Sequence, residues 1–303
     1  VYALADEDGW TLVDTGFASG KTRRIWQSLL EGPLAGRPVA RVLVTHHHPD
    51  HIGLAGWFQS EHGAELLTTR TAWLFARMLT LDEQPTATPE TLAFWTEAGM
   101  HAELLARRRV ERPFNFADVV APMPLGFRRL RDGDTLRIAN RQWIVRTGDG
   151  HAPEHATLWS LDDDLVLGGD QLLPSISPNI GVYATEPGAD PLAEWLISCT
   201  RFTEFAREDQ LVLPGHKLPY RGLPLRLDQL IENHHGLLVR LRAYLREPRT
   251  AAECFPTLFK RKIGEGEYGL ALVEAVAHLN HLLRIGQVQR ERRADGAWLW
   301  RAI

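Results

Sequence analysis

Four short apolar runs in the first 220 residues each give way to glycines and polar residues: Val42-Leu43-Val44, Trp143-Ile144-Val145, Leu165-Val166-Leu167 and Leu211-Val212-Leu213. Runs of this length read as buried strands opening into loops. Tyr2 to Ala5 gives a further strand. Elsewhere the apolar period lengthens to that of a helix, over Ile52 to Gln59, over Leu192 to Phe205, and through an insertion at about 71–112. The insertion carries Trp73, Phe75, Met78 and Leu79, then Leu92, Phe94, Trp95, Met100 and Leu104. A breaker at Thr86-Ala87-Thr88-Pro89 divides it into a helix pair. Leu172 to Ile180 has two prolines and no period, which predicts a rigid extended loop. Strands mixed with helices indicate an α/β class, in which sites form where strands end.

From about residue 225 the organisation changes. Leu227 to Leu245, Thr250 to Phe259 (with Thr250 as N-cap) and Leu270 to Ile285 (closed by Gly286) read as helices. Val288 to Arg292 and Ala297 to Arg301 then alternate around Arg293-Ala294-Asp295-Gly296, a hairpin with an Asp-Gly turn.

The chemistry lies just past the strands. Val42-Leu43-Val44 leads into Thr45-His46-His47-His48-Pro49-Asp50-His51. In an extended segment His46 and His48 point to the same side and His47 to the other, and Pro49 holds His48 extended. Asp50 is expected as a helix N-cap, which turns Asp50 and His51 toward a second point. The block reads as half of a two-metal site. The remaining strands lead to Gly150-His151, Gly169-Asp170 and Pro214-Gly215-His216. Imidazole and carboxylate ligands suit zinc, with iron or manganese also compatible.

With Val13-Asp14-Thr15-Gly16, these pieces resemble, in order, the metallo-β-lactamase superfamily of zinc hydrolases. The resemblance implies an αββα two-sheet sandwich over 1–224 with the helical insertion. It also implies that His46, His48 and His151 hold one metal, that Asp50, His51 and His216 hold the other, and that Asp170 bridges both. Asp14 would orient a ligand loop, and His155 would support the structure. The tail at 225–303 resembles the winged-helix appendage of some hydrolases of this group, one branch of which contains an endoribonuclease. The implied activity is that of a dinuclear zinc hydrolase in which a metal-bridging hydroxide attacks a small ester, thioester or lactone. Asp50 and Asp170 are its catalytic carboxylates. Trp73, Met78, Phe94 and Trp95 are candidate pocket walls.

Composition weighs the alternatives. A hydrophobic fraction of 44% and a charged fraction of 24% over 303 residues are ordinary for a globular chain. No apolar run approaches the roughly 20 residues of a transmembrane helix, so no membrane partner is expected. Cys199 and Cys254 occur in no metal or redox spacing and fit a reducing, cytoplasmic compartment. The sequence opens at Val1 directly in a strand, so upstream residues are expected and export stays open. The alternative is a phosphodiesterase or ribonuclease that uses the tail as a substrate platform. Arg240, Arg242, Arg246, Arg249, Lys260, Arg261, Lys262, Arg290, Arg292 and Arg293 would serve it, but glutamates are interleaved and the net charge is −4. Nucleic-acid binders show a clearly basic face, so this partner is not favoured. The tail could equally wall the site or form a homodimer contact. A single-iron thiol dioxygenase and an inactive binding protein are further readings, the latter opposed by the intact ligand set.

Overall fold

The computed structural model describes residues 1–259 and 261–303; Lys260, one of the basic residues named above, lies outside them. The chain divides into two compact units: Val1–Glu83 with Phe114–Ile176 and Ala206–Leu223, and Gln84–Pro113 with Ser177–Phe205 and Pro224–Ile303. Among the described residues no helix is long and apolar enough to cross a membrane.

The first unit holds two five-stranded sheets. One contains β1 (Tyr2–Asp6), β2 (Gly9–Val13), β3 (Val39–Leu43), β4 (Glu65–Thr69) and β5 (Arg128–Leu130), in that order. β1 pairs antiparallel with β2, and the remaining pairs are parallel. The other runs β10-β9-β8-β7-β6, with β6 (Thr135–Ile138), β7 (Arg141–Gly148), β8 (His155–Ser160), β9 (Leu165–Gly169) and β10 (Leu211–Pro214). Only β9–β10 is parallel there.

Side chains alternate across a strand, so register decides which residues share a face. Leu12, Val42 and Leu66 lie side by side, and Val13, Leu43 and Leu67 form the next row. The second row, with Leu130, packs on Ile138, Trp143, Val145, Ala156, Leu158 and Leu167 of the other sheet, which is the sandwich core. The first row packs on Trp26, Ile52, Leu54, Phe58 and Ala76. These come from α1 (Gly20–Glu31), the segment through α2 (Pro49–Ile52), α3 (Ala55–His62) and α4 (Arg70–Leu81). Ser19 and Thr69 start α1 and α4 by accepting backbone N–H groups of Thr22 and Ala72. Leu172 to Ile180 contains neither helix nor strand, as its prolines indicated.

The insertion differs from the expected helix pair. It forms three helices, α4, α5 (Pro89–Glu97) and α6 (Ala102–Val110), and α5 and α6 belong to the second unit. The Thr86 to Pro89 breaker is a helix start, because Thr88 caps Thr91 N–H and Pro89 occupies the first turn. The second break, at Gly99, is conformational. Its φ is +78°, and a Cβ there would sit 2.4 Å from Thr250 Cβ.

The second unit also contains α7 (Pro191–Thr203), α8 (Leu223–Tyr244), α9 (Phe255–Leu258) and α10 (Glu265–Arg284), and the hairpin β11 (Val288–Arg292) and β12 (Trp298–Ala302). Thr250 and Glu253 cap each other's backbone N–H, at 2.7 and 3.3 Å. A 3-10 turn at Ala252–Cys254 takes up the start of the expected short helix. The long helices each contribute a buried histidine. His234 Nδ1 lies 3.3 Å from His278 Nε2, and His278 Nδ1–H donates to the Glu274 carbonyl at 2.8 Å.

Burial, aided by neighbouring histidines, pushes His234 down to about 3. Burial likewise pushes His278 down to about 4, against its bond to the Glu274 carbonyl. An exposed imidazole titrates near 6.5, so below that pH the unfolded chain binds protons that the folded chain refuses. The stability linked to this pair is complete above about 6.5 and is lost as pH falls toward 4. Each histidine should contribute a slope approaching 1.4 kcal/mol per pH unit in that window. Urea unfolding at pH 7.0, 6.0 and 5.0 should therefore show a shallower acid loss for His278→Leu than for the parent protein; equal slopes would contradict this account.

Candidate metal centre

The ends of strands from both sheets bring the predicted ligands together, all within the first unit. Thr45 to His47 bend away from the end of β3, and His48 is extended, with φ −63° and ψ 146°, at the N-cap of α2. Asp50 is thus not the N-cap expected from the sequence. Pro49 opens the helix, its fixed φ suiting the first turn, and Asp50 sits within that turn. Its carboxylate is turned toward His216, at 3.1 Å.

Two clusters result. His46 Nε2 lies 3.0 Å from His48 Nδ1, which lies 3.0 Å from His151 Nε2, and His151 Nε2 closes the triangle at 3.3 Å from His46 Nε2. In the second cluster, His51 Nε2 is 3.5 Å from Asp50 Oδ2 and 3.4 Å from Asp170 Oδ1. His216 Nε2 is 3.3 Å from Asp170 Oδ2. Asp170 also reaches the first cluster, with Oδ2 at 3.6 Å from His151 Nε2. Three overlapping groups of metal-type donors follow: His46, His48 and His151; His46, His51 and Asp170; and Asp50, His51 and His216.

Asp14, with φ +60°, ties β2, β3 and α2 together. Its Oδ1 accepts the Thr45 N–H at 2.8 Å, and its Oδ2 lies 2.8 Å from His51 Nδ1. The Thr45 hydroxyl contacts Asp14 and, at 3.0 Å, His46 Nδ1. Both His46 and His51 therefore have one ring nitrogen engaged by the framework and Nε2 aimed at the cluster. His155 Nε2 accepts the Asp170 N–H at 3.1 Å, and its ring stacks on His46 with centroids 4.5 Å apart. His47 belongs to none of these donor groups; its ring lies 4.7 Å from that of His48, 5.0 Å from Phe75 and 6.4 Å from Phe116.

The electrostatics split the site. Burial, reinforced by neighbouring imidazoles, holds His46 and His48 well below the ordinary range, so both are neutral. Burial also depresses His51, but Asp14 and Asp170 outweigh it and raise His51 to about 10. Hydrogen bonds to Asp170 and Asp50 raise His216 to about 9. Burial opposes ionisation of Asp50 and Asp170, yet bonds from the histidines keep both below the ordinary carboxylate range.

Divalent cations fit this donor set. Three ring nitrogens crowd within 3.0–3.3 Å, and two of their imidazoles are held neutral. A neutral imidazole carries a single ring proton, so N–H···N bonds cannot satisfy all three contacts at once, and a cation among them would take up the lone pairs left over. His51 Nε2 and Asp170 Oδ1 are buried without a directed hydrogen bond. A buried polar atom without a partner is costly, and a metal would satisfy both.

Two residues that matter here carry no role in the sequence reading. Thr45 was visible only as the residue before the histidines, and nothing in sequence says that its hydroxyl meets Asp14. Gly215 has a clearer signal, a glycine directly before a ligand. A Cβ at Gly215 would lie 2.2 Å from Asp170 Oδ1 and 2.9 Å from His51 Cε1. Of the candidate pocket residues, Trp73 stacks on Phe127 at 4.9 Å and donates its indole N–H to the Pro124 carbonyl, while Met78 is exposed. Phe94 and Trp95 lie in the second unit, Phe94 buried and Trp95 beneath Arg108. The α4 aromatic that touches the histidine block is Phe75.

A two-sheet α/β fold with such donors at its strand ends defines a metal-dependent hydrolase. The chain belongs to the metallo-beta-lactamase superfamily, which it matches over residues 1–242, and residues 238–303 match the metallo-beta-lactamase-like C-terminal domain. It is 25% identical over 284 residues to the probable metallo-hydrolase YqjP of Bacillus subtilis (strain 168), covering 92% of this chain and 86% of that protein. A beta-lactamase domain protein from Burkholderia ambifaria has a similar crystal structure, with TM-score 0.91, 35% identity and coverage of 99% and 87% of the two chains. The metallo-beta-lactamase family protein TTHA1429 from Thermus thermophilus gives TM-score 0.81, 29% identity and coverage of 100% and 93%.

Removing a hydrogen-bond partner of a metal-binding histidine typically costs about 10–100-fold in metal affinity. Asp14→Ala should do so here, because it frees His51 Nδ1 and the Thr45 N–H together. Equilibrium dialysis against zinc would show it, and unchanged affinity would contradict the bridging role given to Asp14.

Proposed function

We propose that this chain is a dinuclear zinc hydrolase acting on a small ester, thioester or lactone. The observation that carries the reading is the convergence of His46, His48, Asp50, His51, His151, Asp170 and His216 into overlapping donor groups. His46, His48 and His151 would hold one ion, and Asp50, His51 and His216 the other. Asp170 would span them, since its Oδ2 lies 3.6 Å from His151 Nε2 and 3.3 Å from His216 Nε2 while its Oδ1 faces His51. When bound, the pair of ions would supply a water ionised near neutral pH and Lewis acidity toward the bond under attack.

The chain's own residues set the remaining terms. Asp50 and His216 are the open side of the centre, with side chains 28% and 44% exposed, whereas His46 and His51 are almost wholly enclosed. A substrate would approach from the Asp50 and His216 side. Asp50 is held ionised by its bond to His216, which suits a ligand better than a proton donor to the leaving group. His47 packs between His48 and Phe75 and joins none of the donor groups, which suits a supporting role in the loop.

The surface of the second unit favours a small-molecule substrate over nucleic acid. Several of its arginines are already paired with acids: Arg107 with Glu265, Arg261 with Glu267, Arg292 with Glu97 and Arg293 with Asp295. Paired charges of this kind leave little free positive field for a phosphate backbone. The helices and the two-stranded sheet of the C-terminal segment support a winged-helix reading of 225–303.

Zinc-loaded protein assayed in parallel on a thioester and lactone panel and on single-stranded RNA tests the proposal, with Asp50→Ala as the contamination control. Turnover of the first set should depend on Asp50. RNA cleavage alone, lost in Asp50→Ala, would instead make the C-terminal segment the substrate platform. Asp170→Ala should reduce turnover by at least about 100-fold with the fold intact by circular dichroism, since the loss falls on the metal pair. Full activity in that variant would refute the dinuclear mechanism.

A further inference from the structure

One charged residue beside the centre is so far without a role. Glu154 lies between His151 and His155, and its φ is +49°. The left-handed region is sterically costly for a residue with a Cβ, and persists where the surroundings over-determine it. Here they do. One carboxylate oxygen accepts the Thr71 N–H at 2.8 Å and also the Thr71 hydroxyl, while the other faces the Arg129 guanidinium at 3.3 Å. The Glu154 N–H donates to Asp149 Oδ1 at 2.8 Å. Burial works against ionisation of Glu154, and the Thr71 and Arg129 donors overcome it.

These bonds reach three elements. Thr71 is in the first turn of α4, Arg129 is on β5, and Asp149 stands at the other end of the 149–155 loop. The loop is therefore closed on itself and fastened to two neighbours. His151 lies within it and supplies a corner of the three-histidine cluster. His155 follows Glu154 directly, accepts the Asp170 N–H and stacks on His46. Moving the Glu154 carboxylate would shift His151 and His155 together, and through His155 would release Asp170 and His46.

We infer that Glu154 is a positioning residue for the metal centre, a clamp that sets the spacing between the three-histidine cluster and Asp170. The inference rests on the metal-centre reading above. Unlike Asp14, Glu154 touches none of the seven donors and acts only through the loop geometry. Its reach to Thr71 also makes the start of α4 part of the support for the centre.

Cobalt titration of the metal-free full chain tests it, following stoichiometry, affinity and the visible absorption spectrum, with the thermal midpoint of each apo protein measured alongside. Glu154→Ala should weaken cobalt binding by about 10–100-fold, as loss of an outer support does, and should change the absorption envelope. Glu154→Gln keeps an acceptor for Thr71 and should stay within about threefold of the parent protein, and Arg129→Ala should fall between the two. If Glu154→Ala lowers the thermal midpoint but binds cobalt with parental affinity and spectrum, the residue is structural only and the inference is overturned. Should Glu154→Ala not fold, parental cobalt binding by Arg129→Ala would overturn it equally. Failure of the parent protein to bind cobalt would sink the metal-centre reading itself, a result distinct from any difference among the variants.

Discussion

The site depends on holding electron-rich atoms closer together than they would stay unaided. Three imidazole nitrogens lie 3.0–3.3 Å apart, and two carboxylates and two more imidazoles crowd beside them. Lone pairs that no ring N–H meets repel at such range, and much of the cluster is removed from water. The framework must therefore be rigid before any cation arrives. Asp14 supplies part of that rigidity by joining the ends of β2 and β3 to His51. Its own backbone is left-handed at φ +60°, a strain that the surrounding bonds sustain.

The sheets make this possible through register. Parallel pairing of β2, β3 and β4 brings their C-terminal ends side by side, and β9 with β10 does the same in the other sheet. Side chains inside the sandwich are apolar and buried, which gives the strand ends a rigid base. The donors then sit on short excursions from rigid strands. Gly215 allows the closest of these approaches, because any side chain there would collide with Asp170 and His51.

Charge divides the centre into two halves. The imidazoles of His46 and His48 are kept neutral by burial and by neighbouring imidazoles, His51 and His151 among them. His51 and His216 face carboxylates and in the absence of cations hold protons tightly, at about 10 and about 9. A cation held by His51 and His216 would have to displace those protons, which would couple its binding to pH. The same half is the one open to solvent at Asp50 and His216.

The family and the α/β class were legible in the amino-acid sequence, as were the residues that the structure gathers into candidate donor groups, because such side chains sit next to strand ends that apolar runs reveal. The hairpin and the long helices were equally legible, since capping and turn residues act over a few positions. What only the tertiary structure decided were features that depend on distant partners. The insertion breaks at Gly99 because Thr250, remote in sequence, occupies the space a Cβ would need. Its first helix lies in one compact unit and its other two in the second, a division that periodicity does not carry. Trp73 was named for its place in the helical insertion, and its contacts, to the Phe127 ring and the Pro124 carbonyl, come from tertiary structure, as does the meeting of Phe75 with His47. Asp50 had the right residue type for an N-cap, but Pro49 began the helix one residue earlier and left the carboxylate to face His216. Local propensity fixes which elements form and which side chains can do chemistry; the direction each side chain takes is settled by long-range contacts that a linear pattern does not contain.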